Sequence, residues 1–144
     1  MSHYLLQDTV QVQRFNTGIV IPVYFPTGVE PHTGADLLRD TAYSYTALVD
    51  DPSNVCLSVD GAAHGWEIAS SIADECGAKV VCSQENKGKL DGVRNGVAAL
   101  WEREALAYFV EVDSDGDHFA NELLNLLRAA LHARACEDDQ VLVL

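Results

Sequence analysis

The sequence predicts an α/β protein, a three-layer αβα sandwich built on a mostly parallel sheet. Three observations predict it. Short apolar runs alternate with stretches of helical periodicity from residue 18 to the C-terminus, which is the pattern of βαβ units with right-handed crossovers. The first run, residues 18–24, is continuously apolar rather than alternating, as suits a strand buried on both faces. Carboxylates and glycines follow the runs directly, where open parallel sheets bind their ligands.

The elements follow in order. Residues 1–16 are mixed and weakly patterned, so an irregular N-terminal arm is expected before a domain spanning 17–144. Residues 18–24, Gly-Ile-Val-Ile-Pro-Val-Tyr, predict the first strand, with Pro22 near its end because proline lacks a ladder donor. Residues 26–34 hold two prolines and two glycines and read as a loop. A helix is expected over 35–49, where Leu38, Ala42, Tyr45 and Val49 share a face. Residues 54–59 predict a strand ending at Asp60-Gly61, and 65–76 a helix with Ile68, Ile72 and Cys76 in register and Gly77 as its stop. A strand over 78–83, a helix over 89–103 and a strand over 107–112 follow. Asp117 is placed to cap a helix over 119–134, with Leu123, Leu127, Ala130 and Arg134 on one face. Val141–Leu144 reads as the opening of a fifth strand, so the chain looks cut off, and an exposed edge there invites pairing with a second copy or a partner chain.

Composition narrows the function classes. The 144 residues suffice for one domain with a real core, and 48% hydrophobic residues exclude a disordered chain. A formal net charge of -13 repels nucleic-acid phosphates and anionic membranes, so no nucleic-acid partner is expected. Cys56, Cys76, Cys82 and Cys136 are scattered without a Cys-x-x-Cys pair, which favours reduced thiols in a cytoplasmic protein over a zinc ribbon or a disulfide framework. The N-terminus lacks the basic start and apolar run of a signal peptide, and no apolar stretch is long enough to be a transmembrane segment.

Three places can carry chemistry. Asp60 follows the second strand and precedes Gly61. It is either a turn former or an acceptor for a ribose or base. Residues 85–96 carry Gly88, Gly92 and Gly96 as one stripe, with Lys87, Lys89 and Arg94 beside it. A mid-helix glycine costs about 1 kcal/mol against alanine, so the stripe implies close packing on the sheet or a ligand against the backbone. Cations at a helix N-terminus make a diphosphate site, whereas a solvated basic face is the bland alternative.

The third place is Tyr108–His118, an apolar strand running into Asp113, Asp115 and Asp117. In an extended chain, residues two apart point the same way, so at least the first two carboxylates are expected to converge. Converging carboxylates want a hard divalent cation, Mg²⁺ or Mn²⁺, which keeps sites free for phosphate oxygens. A solvated acidic loop is the bland alternative. A calcium loop matches at these three positions, but His118 and Leu124 stand where its glycine and glutamate belong. Asp113-Ser114-Asp115-Gly116 also resembles the nucleophile motif of haloacid dehalogenase-type phosphatases, although no lysine follows Lys89 in the chain.

The ordered set of motifs over 18–127 resembles the nucleotide-binding half of family 2-type glycosyltransferases, which have the GT-A fold. Ile19–Tyr24 is similar to the family's first strand, which lines the base pocket through Pro22, Val23 and Tyr24. Val59-Asp60-Gly61 is similar to its second strand end, where the aspartate holds base or ribose. Asn86-Lys87-Gly88-Lys89, continuing to Arg94-Asn95-Gly96, resembles its Asn-x-Gly-Lys…Arg-Asn-x-Gly segment, and Asp113-Ser114-Asp115 its Asp-x-Asp metal motif. Asp113–His118 also resembles the Asp-x-Asp-Gly-Gln-His run of polyprenyl-phosphate sugar transferases, with Asp117 in place of glutamine.

The resemblance implies a glycosyltransferase. Its donor would be a UDP- or GDP-linked sugar, held by Pro22, Val23, Tyr24, Asp60, Asn86, Gly88, Lys89, Arg94 and Asp113. Mn²⁺ or Mg²⁺ would sit at Asp113, Asp115 and Asp117 and bridge the diphosphate. The family's acceptor region and catalytic base lie downstream of the metal motif, where this chain has only residues 119–144. A donor- and metal-binding module without turnover is therefore the non-enzyme alternative.

Overall fold

The structure, a computed structural model, describes residues 2–136 together with 142 and 143, with side chains from residue 8 onward. Four strands, β1 (Thr17–Val23), β2 (Val55–Val59), β3 (Lys79–Cys82) and β4 (Tyr108–Glu111), form one all-parallel sheet in the order β3-β2-β1-β4. Ile19 at the centre pairs with Val55 on one side and Val110 on the other. The chain steps outward from β1 to β2 to β3, then returns to the opposite side of β1 to make β4. The sheet's direction of growth therefore reverses between β1 and β4.

Helices cover both faces. Ile19, Ile21 and Val23 of β1, with Val55, Leu57 and Val59 of β2, point into the larger core. There they meet α2 (His32–Thr46), α3 (Trp66–Cys76) and α5 (Leu123–Cys136) through Leu38 and Tyr45, Ile72, and Leu123 and Leu127. Each fully buried aliphatic side chain contributes about 1.5–3 kcal/mol. The alternate residues Val20 and Cys56 face the smaller core with Leu100 and Leu106, under α4 (Lys89–Leu100). Of the expected helical faces, Leu38, Ala42, Tyr45 and Val49 pack inward, as do Leu123, Leu127 and Ala130, whereas Arg134, expected on the same face, is exposed and donates to the Tyr108 hydroxyl.

Helix α4 lies unusually close to the sheet. A Cβ built on Gly96 would stand 2.3 Å from Val20 Cγ1. One turn earlier, Ser58 Oγ of β2 donates a 2.6 Å hydrogen bond to the Gly92 carbonyl. Close packing on the sheet is therefore the reason for glycine at position 96.

Two expectations need correction. Residues 2–15, expected to be irregular, form helix α1 (Ser2–Phe15), with Val12 against the larger core. Its inward positions one turn apart are Thr9, 0% exposed, and Gln13, whose Nε2 donates to the Leu48 carbonyl at 3.3 Å. A polar inward stripe gives no hydrophobic periodicity to read. Asp117 does not cap the last helix. A 3₁₀ turn over Ala120–Glu122 leads into α5, and Phe119 takes the capping position without a side-chain bond. The expected fifth strand and its pairing edge fall largely outside the described residues, at Val141 and Leu144. Leu142 and Val143 belong to no strand, and Leu142 is 82% exposed. Among the described residues, no helix is long and apolar enough to cross a membrane.

Candidate functional site

In an open parallel sheet, a cleft opens beyond the strand ends where the direction of growth reverses. Here that point lies between β1 and β4, and a cleft of about 520 Å³ opens there, within the usual range for a small-molecule site. The end of β1 supplies Pro22, Val23 and Tyr24. The end of β2 supplies Asp60. The segment entering α4 supplies Asn86, Gly88 and Lys89, and the segment leaving β4 supplies Asp113, Ser114 and Asp115.

Asp60 is 4% exposed, and its carboxylate faces the chain that enters α4. Oδ1 accepts from the Lys87 N–H and Oδ2 from the Gly88 N–H, each at 2.8 Å. Both oxygens are thus engaged by the loop opposite, neither a local turn nor a free acceptor. Gly88 can adopt the required φ of 101° because it has no side chain. It stands at the N-cap of α4, and Lys89 is the first helical residue.

Lys89 reaches across the cleft to β4. Its ammonium is hydrogen-bonded to Asp113 Oδ1 and lies 2.9 Å from Glu111 Oε1. The Glu111 oxygen is shielded from solvent without a well-aligned hydrogen bond, so that contact is an ion pair of proximity. The Lys89 hydrogen bond, more than its charge, holds the Asp113 carboxyl below the usual carboxylate range, against the opposing effect of partial burial. The same bond, and then the Glu111 contact, raise the Lys89 ammonium above its ordinary range. His118 completes the corner: its Nδ1 accepts the Asp113 N–H at 3.0 Å, and its Nε2 lies 3.8 Å from Asp113 Oδ2.

Two residues expected in the site lie outside the cleft lining. Arg94 is exposed on α4. It stands two residues, about 200° of helical turn, from the sheet-facing Gly92. Asp117 is exposed, and its N–H donates to Asp115 Oδ1 at 3.1 Å. The strand ends at Glu111, so Asp113, Asp115 and Asp117 follow a turn rather than an alternating strand. Among the described residues, no group of three His, Cys, Asp or Glu side chains is assembled to hold a metal ion.

The structure adds residues that the sequence reading omitted. Ser114 lines the cleft, and Glu111 shares Lys89. The His64 ring lies 4.6 Å from that of Tyr24, and its Nδ1 is 3.2 Å from the Phe25 carbonyl. Ser83 Oγ accepts the Gly61 N–H at 3.0 Å and steadies the turn after Asp60. A carboxylate one residue beyond the apolar core of the strand was the one available signal for Glu111. No family model, curated protein or solved structure matches the chain.

Proposed function

We propose that this cleft binds a UDP- or GDP-linked sugar and that the chain is the donor half of a metal-dependent glycosyltransferase of GT-A type. One observation carries the reading: Asp113 and Asp115 line one cleft of about 520 Å³ together with Gly88 and Lys89 at the start of α4, at the reversal point of a parallel sheet. Diphosphates suit such a place, because the helix N-terminus and an ammonium both favour negative charge. Tyr24, 46% exposed, offers a ring face on which a base can stack. Asp60 holds the loop that carries Asn86, Gly88 and Lys89 in position to meet the donor.

The residues fit Mg²⁺ or Mn²⁺ of the open kind. Such ions take one or two carboxylates and complete their shell with water and substrate phosphates, so Asp113 and Asp115 would suffice. When bound, the ion would stabilise charge developing on the nucleoside diphosphate as it leaves. Lys89 supplies a second positive charge on the same side.

A second reading draws on the same ion pair. An aspartate-nucleophile phosphatase needs a lysine beside the first aspartate of Asp-x-Asp-Gly, and Lys89 stands beside Asp113. Thermal unfolding with UDP, GDP and their sugar conjugates, with and without Mn²⁺, tests the first reading. A ligand at a hundred times its dissociation constant adds about 2.7 kcal/mol, which raises the midpoint by roughly 5 °C or more. A Mn²⁺-dependent rise that disappears in Asp115→Asn supports donor binding. No rise with any nucleotide sinks it, and phosphate release from a simple phosphomonoester lost in Asp113→Asn selects the phosphatase.

A further inference from the structure

We infer that Lys89 is a resident counter-cation for the β4 carboxylates, so that the cleft takes up its divalent metal together with a phosphate-bearing ligand and not before it. The inference rests on the donor-site reading above and adds an order of events to it. Asp113 is the carboxylate common to the metal and the diphosphate corner, and Lys89 already occupies its Oδ1. Glu111 Oε1, shielded from solvent, is served by the same ammonium at 2.9 Å. On the other side of the loop, Asp115 Oδ1 takes the Asp117 N–H. A divalent ion entering alone would have to displace Lys89 and leave two like charges side by side.

A diphosphate removes that obstacle. Lys89 begins α4, its side chain is 58% exposed, and four methylenes let its ammonium swing without moving the backbone. Phosphate oxygens give the ammonium a new partner and give the metal the ligands that two carboxylates leave unfilled. Metal and ligand then help each other by the same factor, as linkage requires. In this arrangement Lys89 is a positioning residue that offsets part of the negative charge of Asp113 and Glu111 and keeps the free protein's cleft metal-poor.

The test measures Mn²⁺ binding to the full chain by the electron paramagnetic resonance signal of free Mn²⁺, with and without UDP or GDP. Lys89→Met without nucleotide is expected to bind Mn²⁺ about tenfold more tightly than the unaltered protein, with the nucleotide's enhancement correspondingly smaller. Lys87→Met removes the neighbouring exposed charge and is expected to change little. Adding Asp113→Asn to Lys89→Met is expected to abolish the gain. Unchanged or weaker Mn²⁺ binding in Lys89→Met overturns the inference. An equal gain in Lys87→Met, or a gain that survives Asp113→Asn, also overturns it, since general electrostatics would then explain it. Nucleotide binding that persists while Lys89→Met shows no gain discards the inference and leaves the donor site standing. Absence of nucleotide binding under every condition discards both.

Discussion

The carboxylate of Asp60 and the backbone N–H of Gly88, 28 positions apart, meet at 2.8 Å. With the Lys87 N–H on the other oxygen, this clamp ties the end of β2 to the start of α4 across the floor of the cleft. Asp60→Ala leaves the Lys87 N–H without that acceptor and Gly88 with only Asn86 Oδ1 at 3.2 Å. We expect a loss of about 2–3 kcal/mol, read as a lower urea midpoint, because bonds to a buried charge are stronger than neutral ones. Asp60→Asn keeps one acceptor oxygen and should lose less. If the clamp is what Asp60 does, both variants weaken UDP and GDP by a similar factor. A change of preference between the two bases would mean that Asp60 reads the base itself.

The glycines of α4 separate two effects that substitution usually mixes. In Gly96→Ala the new methyl meets Val20 Cγ1 at 2.3 Å. Overpacking costs about 1–3 kcal/mol and outweighs the gain of about 1 in helix propensity. Gly92→Ala meets only Pro22, Ser58 and Asp60 atoms at 3.9–4.0 Å, which is ordinary contact. That variant should be more stable than the unaltered chain, by up to about 1 kcal/mol. Adding Val20→Ala should cost the Gly96→Ala variant less than it costs the unaltered chain, because the two residues touch. Equal stabilities for the two alanine variants would contradict the close approach of α4 to β1.

Much of this architecture was legible because strands buried on both faces write themselves as unbroken apolar runs. Ile19–Val23 is such a run, Val55–Val59 is broken only by Ser58, and Asp60 directly after it marks the ligand end of the sheet. Helix α1 stayed hidden because Thr9 and Gln13 face inward, and burial of polar groups leaves no periodic trace. Arg94 was assigned to the site by its motif, but helical phase sets it opposite Gly92. The Lys89 contacts to Glu111 and Asp113 had no local signature. They depend on β4 lying next to β1, which follows from strand order rather than from any residue near either end.

Cysteine reactivity offers a check on the core that is independent of the cleft. Cys56 lies inside β2 in the smaller core, 0% exposed, and burial pushes its thiol up to about 11. Cys136, at the end of α5, is exposed. At pH 8 an aromatic disulfide reagent should label Cys136 first and Cys56 last, at the rate at which the domain opens. Peptide mapping of the labelled chain reads the order directly. Immediate labelling of Cys56 in native buffer would rule out this placement of β2 and α4, whereas all four cysteines should react at once in urea.

The Lys89–Asp113 pair should give stability a pH window. The Asp113 carboxyl is held below its ordinary value of 3.8, chiefly by the Lys89 hydrogen bond. Its contribution is therefore present above that value and is lost as the pH falls through the lowered one. Lys89 is held above 10.5, first by Asp113 and then by Glu111. Its contribution is complete below 10.5 and is lost as the pH rises through the raised value. Lys89→Met removes both, so its urea midpoint should lie furthest below that of the unaltered chain between these limits and approach it at either extreme. Because Lys89 is 58% exposed, the largest gap should be no more than about 1 kcal/mol and should shrink in high salt. Carboxyl carbon NMR supplies the sharper reading. Asp113 should titrate at a higher pH in Lys89→Met than in the unaltered chain, and an unchanged titration would show that the ion pair is not formed in solution.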